Sequence, residues 1–140
     1  MQQVVDLDSK VAQYPWTMSM FLEELRLQSF CRVALDVHGL VIGYGVSRLQ
    51  VDEWHLLTLG VGVNFRRQGY GECLVADVIR KSALHNDRII LLEVRASNIL
   101  ALNLYKKMGF KIINVRKGYY RSELIREDAI VMERLVQKGD

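Results

Sequence analysis

A mixed α/β fold, a sheet covered by helices, is the fold class this sequence predicts. Three observations predict it. Leu57, Leu59, Val61 and Val63 alternate along a strand with one buried face, which runs into a basic, glycine-punctuated turn, Arg66 to Gly71. From there the apolar spacing turns helical, with Leu74, Val75, Val78, Ile79 and Ala83 on one face, and a short apolar run, Arg88 to Val94, follows as a buried strand. Half of the 140 residues are apolar, which suits a single domain over residues 1–140 with its own core and is too little chain for two ordinary ones.

The other elements follow in chain order. Val4, Val5, Leu7, Val11 and Ala12 suit a short amphipathic helix, which Pro15, the single proline, ends ahead of Trp16. Thr17 caps a second helix with an apolar stripe of Met18, Phe21, Leu22 and Leu25. Phe30 to Leu35 reads as a strand, Asp36 to Gly39 as a turn and Leu40 to Leu49 as a second strand, so a hairpin is expected. Glu53 and Trp54 lead into the alternating strand, and the helix after the glycine turn is expected to end near His85 and Asn86. Ser97 or Asn98 then caps a helix reaching Met108, stopped by Gly109 in the left-handed position. Phe110 to Val115 is a further strand, Arg116 to Asp128 a polar loop and Ala129 to Leu135 the last strand.

Charge and cysteine usage exclude several classes. Lys plus Arg number 19 against 16 for Asp plus Glu, a net +3 with no basic run or basic helix, so no direct nucleic-acid partner is expected. Nothing approaches membrane-spanning length and no signal-type segment opens the chain, which makes a cytoplasmic protein the expectation. Cys31 and Cys73 are too few for a disulfide framework and read as buried small residues. His38, His55 and His85 lack metal-ligand spacing, so no metal is expected, and Glu23 and Glu24 read as a solvated helix face.

Arg66, Arg67, Gln68, Gly69, Tyr70 and Gly71 fall at a helix N-terminus, where main-chain N–H groups lack intrahelical partners and the macrodipole is positive. Such an end receives phosphates, and two glycines let a pyrophosphate reach the main chain. A strand-to-helix turn with a glycine for tight packing is the plain alternative. The order Arg66-x-x-Gly69-x-Gly71 resembles the acetyl-CoA signature of the GNAT N-acetyltransferases. Within that group, LLEVRASNILALNLYKKMGF (Leu91 to Phe110) resembles the ribosomal-protein alanine N-acetyltransferases of the RimI type. So do Tyr14 to Trp16, the double tyrosine after Gly118 and Arg126 to Met132, and the match runs over most of the chain.

The resemblance implies a GNAT-like fold: a mixed, mostly antiparallel twisted sheet flanked by helices, its central strands splayed at the acetyl-CoA site. It implies transfer of acetyl from acetyl-CoA, a co-substrate, to the α-amino group of a protein N-terminus, the N-terminal alanine of a small-subunit ribosomal protein. A monomer or weak dimer is expected. Residues matching the cofactor site are Leu59, Gly60, Val61, Arg66, Arg67, Gln68, Gly69, Tyr70, Gly71, Glu72 and Asn98. Glu93 matches the general base and Tyr105 the general acid.

The chemistry asks for such groups. An α-amino group has a pKa of about 7.7 to 8.0, so near neutral pH something must take its proton before it attacks, and Glu93 lies at the end of a buried strand. As a structural group it would instead be satisfied by Arg95 or a loop amide. Tyr105 shares a helix face with Ala101, Leu104 and Met108, also the ordinary place of a core aromatic. Asn98 reads as a helix cap or as an amide for the carrier. Gly60 marks either a structural bulge or a close approach of the thioester, whose oxyanion main-chain N–H groups would take. Trp16, Tyr119 and Tyr120 are candidate contacts for the acceptor peptide.

Departures from the family pattern fall away from the cofactor residues. Few residues precede Tyr14 for both a first strand and a first helix, Arg121 stands where relatives often carry proline, and Gly62 replaces a common acidic residue. Rival readings are a GNAT acting on another protein N-terminus, a lysine or a small amine, and a non-catalytic acyl-CoA-binding module, which needs neither Glu93 nor Tyr105. A nucleotide-binding protein is disfavoured: no G-x-x-x-x-G-K-[ST] occurs, and neither Gly43-x-Gly45 nor Gly60-x-Gly62 completes G-x-G-x-x-G.

Overall fold

The computed structural model describes residues 1–85, 88–121 and 124–140. Helices α1 (Gln2–Val11) and α2 (Met18–Arg26) precede strands β1 (Phe30–Leu35), β2 (Val41–Gln50) and β3 (Glu53–Val61). Helix α3 (Tyr70–Leu84), strand β4 (Ile89–Arg95), helix α4 (Ile99–Lys107) and strands β5 (Lys111–Arg121) and β6 (Arg126–Leu135) follow. The strands form one six-stranded sheet in the order β1-β2-β3-β4-β6-β5, and β1 with β2, β4 with β6 and β5 with β6 are antiparallel. A mostly antiparallel sheet with helices is the architecture expected. Its residues cluster in two compact units, Met1–Leu49 with Leu56–Val78, and Gln50–His55 with Ile79–Asp140.

In the first unit, Val4, Phe21, Tyr44 and Val46 form a buried core, with Val5, Leu7, Val11, Trp16, Cys31, Val41 and Leu57 packed on it. The Thr17 hydroxyl caps α2 by accepting from the Met20 N–H at 3.2 Å, as expected. The expected stripe is corrected: Leu22 and Leu25 are exposed, and one turn from Phe21 the buried residue is Glu24. The hairpin forms with the expected β1 bounds. Its turn is held by Asp36, whose carboxylate accepts from the N–H groups of His38 and Leu40 at 2.8 and 2.9 Å, and Gly39 supplies φ +79°. In β3 the deeply buried residues are Trp54, Leu56 and Gly60, not the Leu57-Leu59-Val61 face, and Val63 is exposed beyond the strand's end. The strand has neighbours on both sides in the sheet and Leu57 still meets the α1–α2 core, so apolar residues on both faces hide the true buried face. The cysteines are corrected too: Cys31 is half-buried and Cys73 exposed.

In the second unit, Ile90, Leu92 and Val94 are the buried face of β4. Asn98 caps α4 by accepting from the Ala101 N–H at 3.2 Å, and Gly109 ends the helix at φ +94°, where the Arg134 Nε donates to the Met108 carbonyl at 2.9 Å. The expected polar loop from Arg116 is corrected: β5 continues to Arg121 and β6 begins at Arg126. Polar residues persist in the strand through a bulge, where Gly118 takes φ +62° and its N–H donates to Asp128 at 2.9 Å. The expected helix end at Asn86 and the loop positions 122 and 123 lie outside the described residues.

Candidate active site

The first unit carries the glycine turn. After Val61, the Gly62 N–H donates to the Ile42 carbonyl at 2.8 Å, and residues Val63–Phe65 make a single tight helical turn. Arg66 Nε reaches the Val61 carbonyl at 3.4 Å and Gln68 Nε2 the Asn64 carbonyl at 3.3 Å, bonds within the turn that leave most of each side chain outward. Arg67 at φ +60° and Gly69 at φ +86° both take left-handed backbone, which reverses the chain into α3. The first α-helical bond runs from the Cys73 N–H to the Gly69 carbonyl at 3.0 Å, so the N–H groups of Tyr70 and Gly71 precede it. A Cβ on Gly69 would meet nothing within 4 Å. The turn sets two exposed cations, Arg66 and Arg67, beside the first N–H groups of α3, with the acidic Glu72 in the helix's first turn, an arrangement that suits an anion.

Trp16, from the α1–α2 connection, lines a cavity of about 340 Å³ with Ser19, Met20, Glu23, Glu24 and Leu57. Its ring lies 5.0 Å from that of Phe21. Glu23 is exposed and paired with Arg26 at 2.6 Å. Glu24 is not on a solvated face: it is 7% exposed, accepts from the Ser29 hydroxyl at 2.6 Å and pairs with Arg48 at 3.4 Å.

The second unit carries the proposed acid and base. Glu93 lies opposite Val131 of β6, and its carboxylate is 3.3 Å from Arg116, not from Arg95 as the structural alternative expected. Arg95 instead pairs with Glu127 at 3.5 Å and stacks on the Tyr120 ring at 3.8 Å. Burial, with the negative charge of Glu93 behind it, raises the Tyr120 phenol. Tyr119 and Tyr120 meet edge to face at 5.3 Å, and Arg116 lies over Tyr119 at 5.3 Å. Tyr105 is 7% exposed with its ring 5.7 Å from Phe110, and burial pushes its phenol far above the usual value. It is therefore protonated throughout the neutral range, as a proton donor must be. Asn98 is exposed, and its oxygen is committed to the cap. Among the described residues, no three His, Cys, Asp or Glu side chains group closely enough to hold a metal ion.

Sequence reasoning missed Asp8, Tyr44, Arg48, Arg116 and Glu127. Asp8 had a signal: it falls on the Val4–Val11 stripe of α1, where a carboxylate has to be satisfied internally. Hydrogen bonds from Ser97, its side chain first and then its N–H at 2.7 Å, hold the Glu127 carboxyl below the usual range against the effect of burial.

This fold and these groups belong to a class of acyl-transfer enzymes. The chain is a member of the acetyltransferase (GNAT) family, whose model matches residues 1–110. It is an N-acetyltransferase of that family's RimI-like branch. It is 29% identical to the [ribosomal protein bS18]-alanine N-acetyltransferase of Escherichia coli K12, over 90% of this chain and 84% of that protein. An N-alpha-acetyltransferase of Sulfurisphaera tokodaii is 33% identical over 85% of this chain and 76% of its own. The crystal structure of the ribosomal-protein-S18-alanine N-acetyltransferase from Escherichia coli superimposes with a TM-score of 0.88 at 25% identity, covering 99% of this chain and 89% of that one.

Proposed function

We propose that residues 1–140 act as one catalytic domain that moves acetyl from acetyl-CoA to the α-amino group of an N-terminal alanine, on a ribosomal protein of the small subunit. The observation that carries the cofactor reading is the turn from Arg66 to Gly71, with Gly69 in left-handed backbone over open space at the start of a 15-residue helix. The Arg66 and Arg67 guanidinium groups, the Gln68 amide and the main-chain N–H groups of Gly69, Tyr70, Gly71 and Glu72 take the diphosphate, and Asn98, whose oxygen caps α4, contacts the carrier through its amide nitrogen. Leu59, Gly60 and Val61 lend main-chain groups to the thioester.

Glu93, directly or through one water, takes a proton from the α-ammonium group, and the freed amine attacks the thioester carbonyl carbon. The tetrahedral intermediate collapses with cleavage of the C–S bond. Tyr105 passes its phenolic proton to the departing thiolate, and the surplus proton on the acylated nitrogen returns through water to the Tyr105 phenolate, giving CoA and the N-acetylated peptide while the proton on Glu93 passes to solvent. Tyr119 and Tyr120 cover the first peptide residues and Trp16 walls the acceptor side chain. A ribosomal-protein acceptor made in the cytoplasm supports a cytoplasmic setting for the reaction. Among the described residues no helix is long and apolar enough to cross a membrane.

Incubation with acetyl-CoA and peptides beginning with Ala, Ser or Met, lysine peptides and polyamines tests the assignment. Acetylation of the α-amine of the Ala-initiated peptide is expected. Transfer to polyamines alone sinks the acceptor reading and spares the cofactor site. One observation favours a second reading: a cavity of about 340 Å³ walled by Trp16, Met20 and Leu57 has room for a larger apolar side chain than alanine's, so the Met-initiated peptide is its natural competitor.

A further inference from the structure

We propose that Asp8 and Tyr44 are positioning residues for the transfer reaction, one buried carboxylate fixing both the main chain at Gly60 and the Trp16 wall of the acceptor cavity. The inference rests on the reading of Leu59–Val61 as the thioester's support. Asp8 is completely buried on α1. One of its oxygens accepts from the Tyr44 hydroxyl, and the other accepts from the Trp16 N–H at 2.7 Å. A twice-bonded carboxylate shut away from water makes strong, directional bonds, and neither donor moves without leaving it unsatisfied.

Tyr44 transmits that hold to β3. Its ring is 1% exposed and stands edge-on to Phe21, with centroids 6.1 Å apart at 85°. Its hydroxyl end lies against the main chain of Gly60: a Cβ there would stand 2.5 Å from the Tyr44 oxygen and 2.7 Å from Cε1 and Cζ. Glycine is thus required at position 60 by Tyr44, and Tyr44 is placed by Asp8. A phenylalanine would fill this core equally well, so what the hydroxyl adds is the link. Main-chain donors stabilise a developing oxyanion only when they need not reorganise as the charge appears, and this wedge behind Gly60 holds them still. The Trp16 N–H, tied to the same carboxylate, sets the cavity wall from the same anchor.

The test follows the Trp16 amide resonance of ¹⁵N-labelled protein during titration with CoA, beside steady-state kinetics on the Ala-initiated peptide. In the wild type, CoA is expected to shift that resonance. In Tyr44→Phe the shift is lost and the acceptor KM rises about tenfold, while the CoA Kd stays within about twofold because the Arg66–Gly71 turn is untouched. CoA binding that leaves the Trp16 amide unmoved, or a folded Tyr44→Phe with wild-type kinetics, overturns the proposal and leaves the acetyltransferase reading standing. Failure of the wild type to bind CoA overturns both. Should Tyr44→Phe not fold, Asp8→Asn, which keeps the shape and removes the charge, carries the same two measurements with the same expected and overturning results.

Discussion

The Arg116 guanidinium stands 3.3 Å from the Glu93 carboxylate, in a pair whose side chains are 49% and 34% exposed. An ion pair this open contributes about 0–1 kcal/mol to stability, so the fold does not depend on it. It orients one carboxylate oxygen and leaves the other to a substrate amine or a water. Glu93→Gln keeps the shape and removes the proposed base. Turnover is expected to fall about 10²-fold or more with the melting temperature and CoA affinity little changed. Unchanged turnover at saturating substrates removes Glu93 from the mechanism.

Arg67 and Gly69 share left-handed backbone at φ +60° and +86°, yet their substitutions are expected to differ. Gly69→Ala forces an L side chain into that region at about 1–2 kcal/mol and sets a methyl group where the diphosphate approaches, so both stability and CoA affinity fall. Arg67→Gly relieves the strained position while freeing the unfolded chain, leaving stability within about 1 kcal/mol. It removes a cation from the proposed diphosphate site, so CoA affinity is expected to fall and its dependence on ionic strength to become shallower. Calorimetric titration at two salt concentrations separates the cases, and Gly69→Ala binding CoA as tightly as the wild type refutes a phosphate at this turn.

The elements that local chemistry defines were legible in the sequence. Thr17 and Asn98 sit at their caps, Phe30 to Leu35 is the strand expected, and Gly109 ends α4 where a left-handed residue is favoured. What escaped depends on partners far along the chain. Glu24 looks like surface charge until Arg48 and Ser29 close over it, and Asp8 finds Tyr44 across 36 residues. The run from Arg116 to Arg121 looks like a loop because its glycine and charges are tolerated in β5 only through the bulge that Asp128 holds. The likeness to a family supplied roles for Glu93 and Tyr105 that neither spacing nor burial assigns.

Tyr105 and Glu127 shape opposite ends of the pH–stability curve. Burial raises the folded pKa of Tyr105, so its contribution is fully present below the unfolded phenol's value of about 10 and is lost as pH rises beyond it. Bonding to Ser97 lowers the folded pKa of Glu127, so its contribution is present above the unfolded value of about 4.3 and is lost as pH falls through the acid range. Tyr105→Phe should therefore flatten the alkaline limb and Glu127→Gln the acid limb in denaturant titrations at a series of pH values. A Tyr105→Phe curve as steep above pH 10 as the wild type's would contradict the buried-phenol account.

Gly60 and Gly45 offer the same chemical change in two surroundings. A methyl on Gly45 meets only the Leu59 Cδ1 at 3.8 Å, ordinary contact, whereas one on Gly60 collides with the Tyr44 ring and hydroxyl inside 2.8 Å. Tyr44 cannot yield, being buried, packed on Phe21 and bonded to Asp8. Gly60→Ala is therefore expected to cost about 1–3 kcal/mol as an overpacked core does. Gly45→Ala is neutral or stabilises by up to about 1 kcal/mol through the unfolded chain. Pairing Gly60→Ala with Tyr44→Leu, which vacates the space, should recover part of the loss, so that the double variant is more stable than the two single effects added together. Strict additivity would mean that Tyr44 is not what forbids a side chain at position 60.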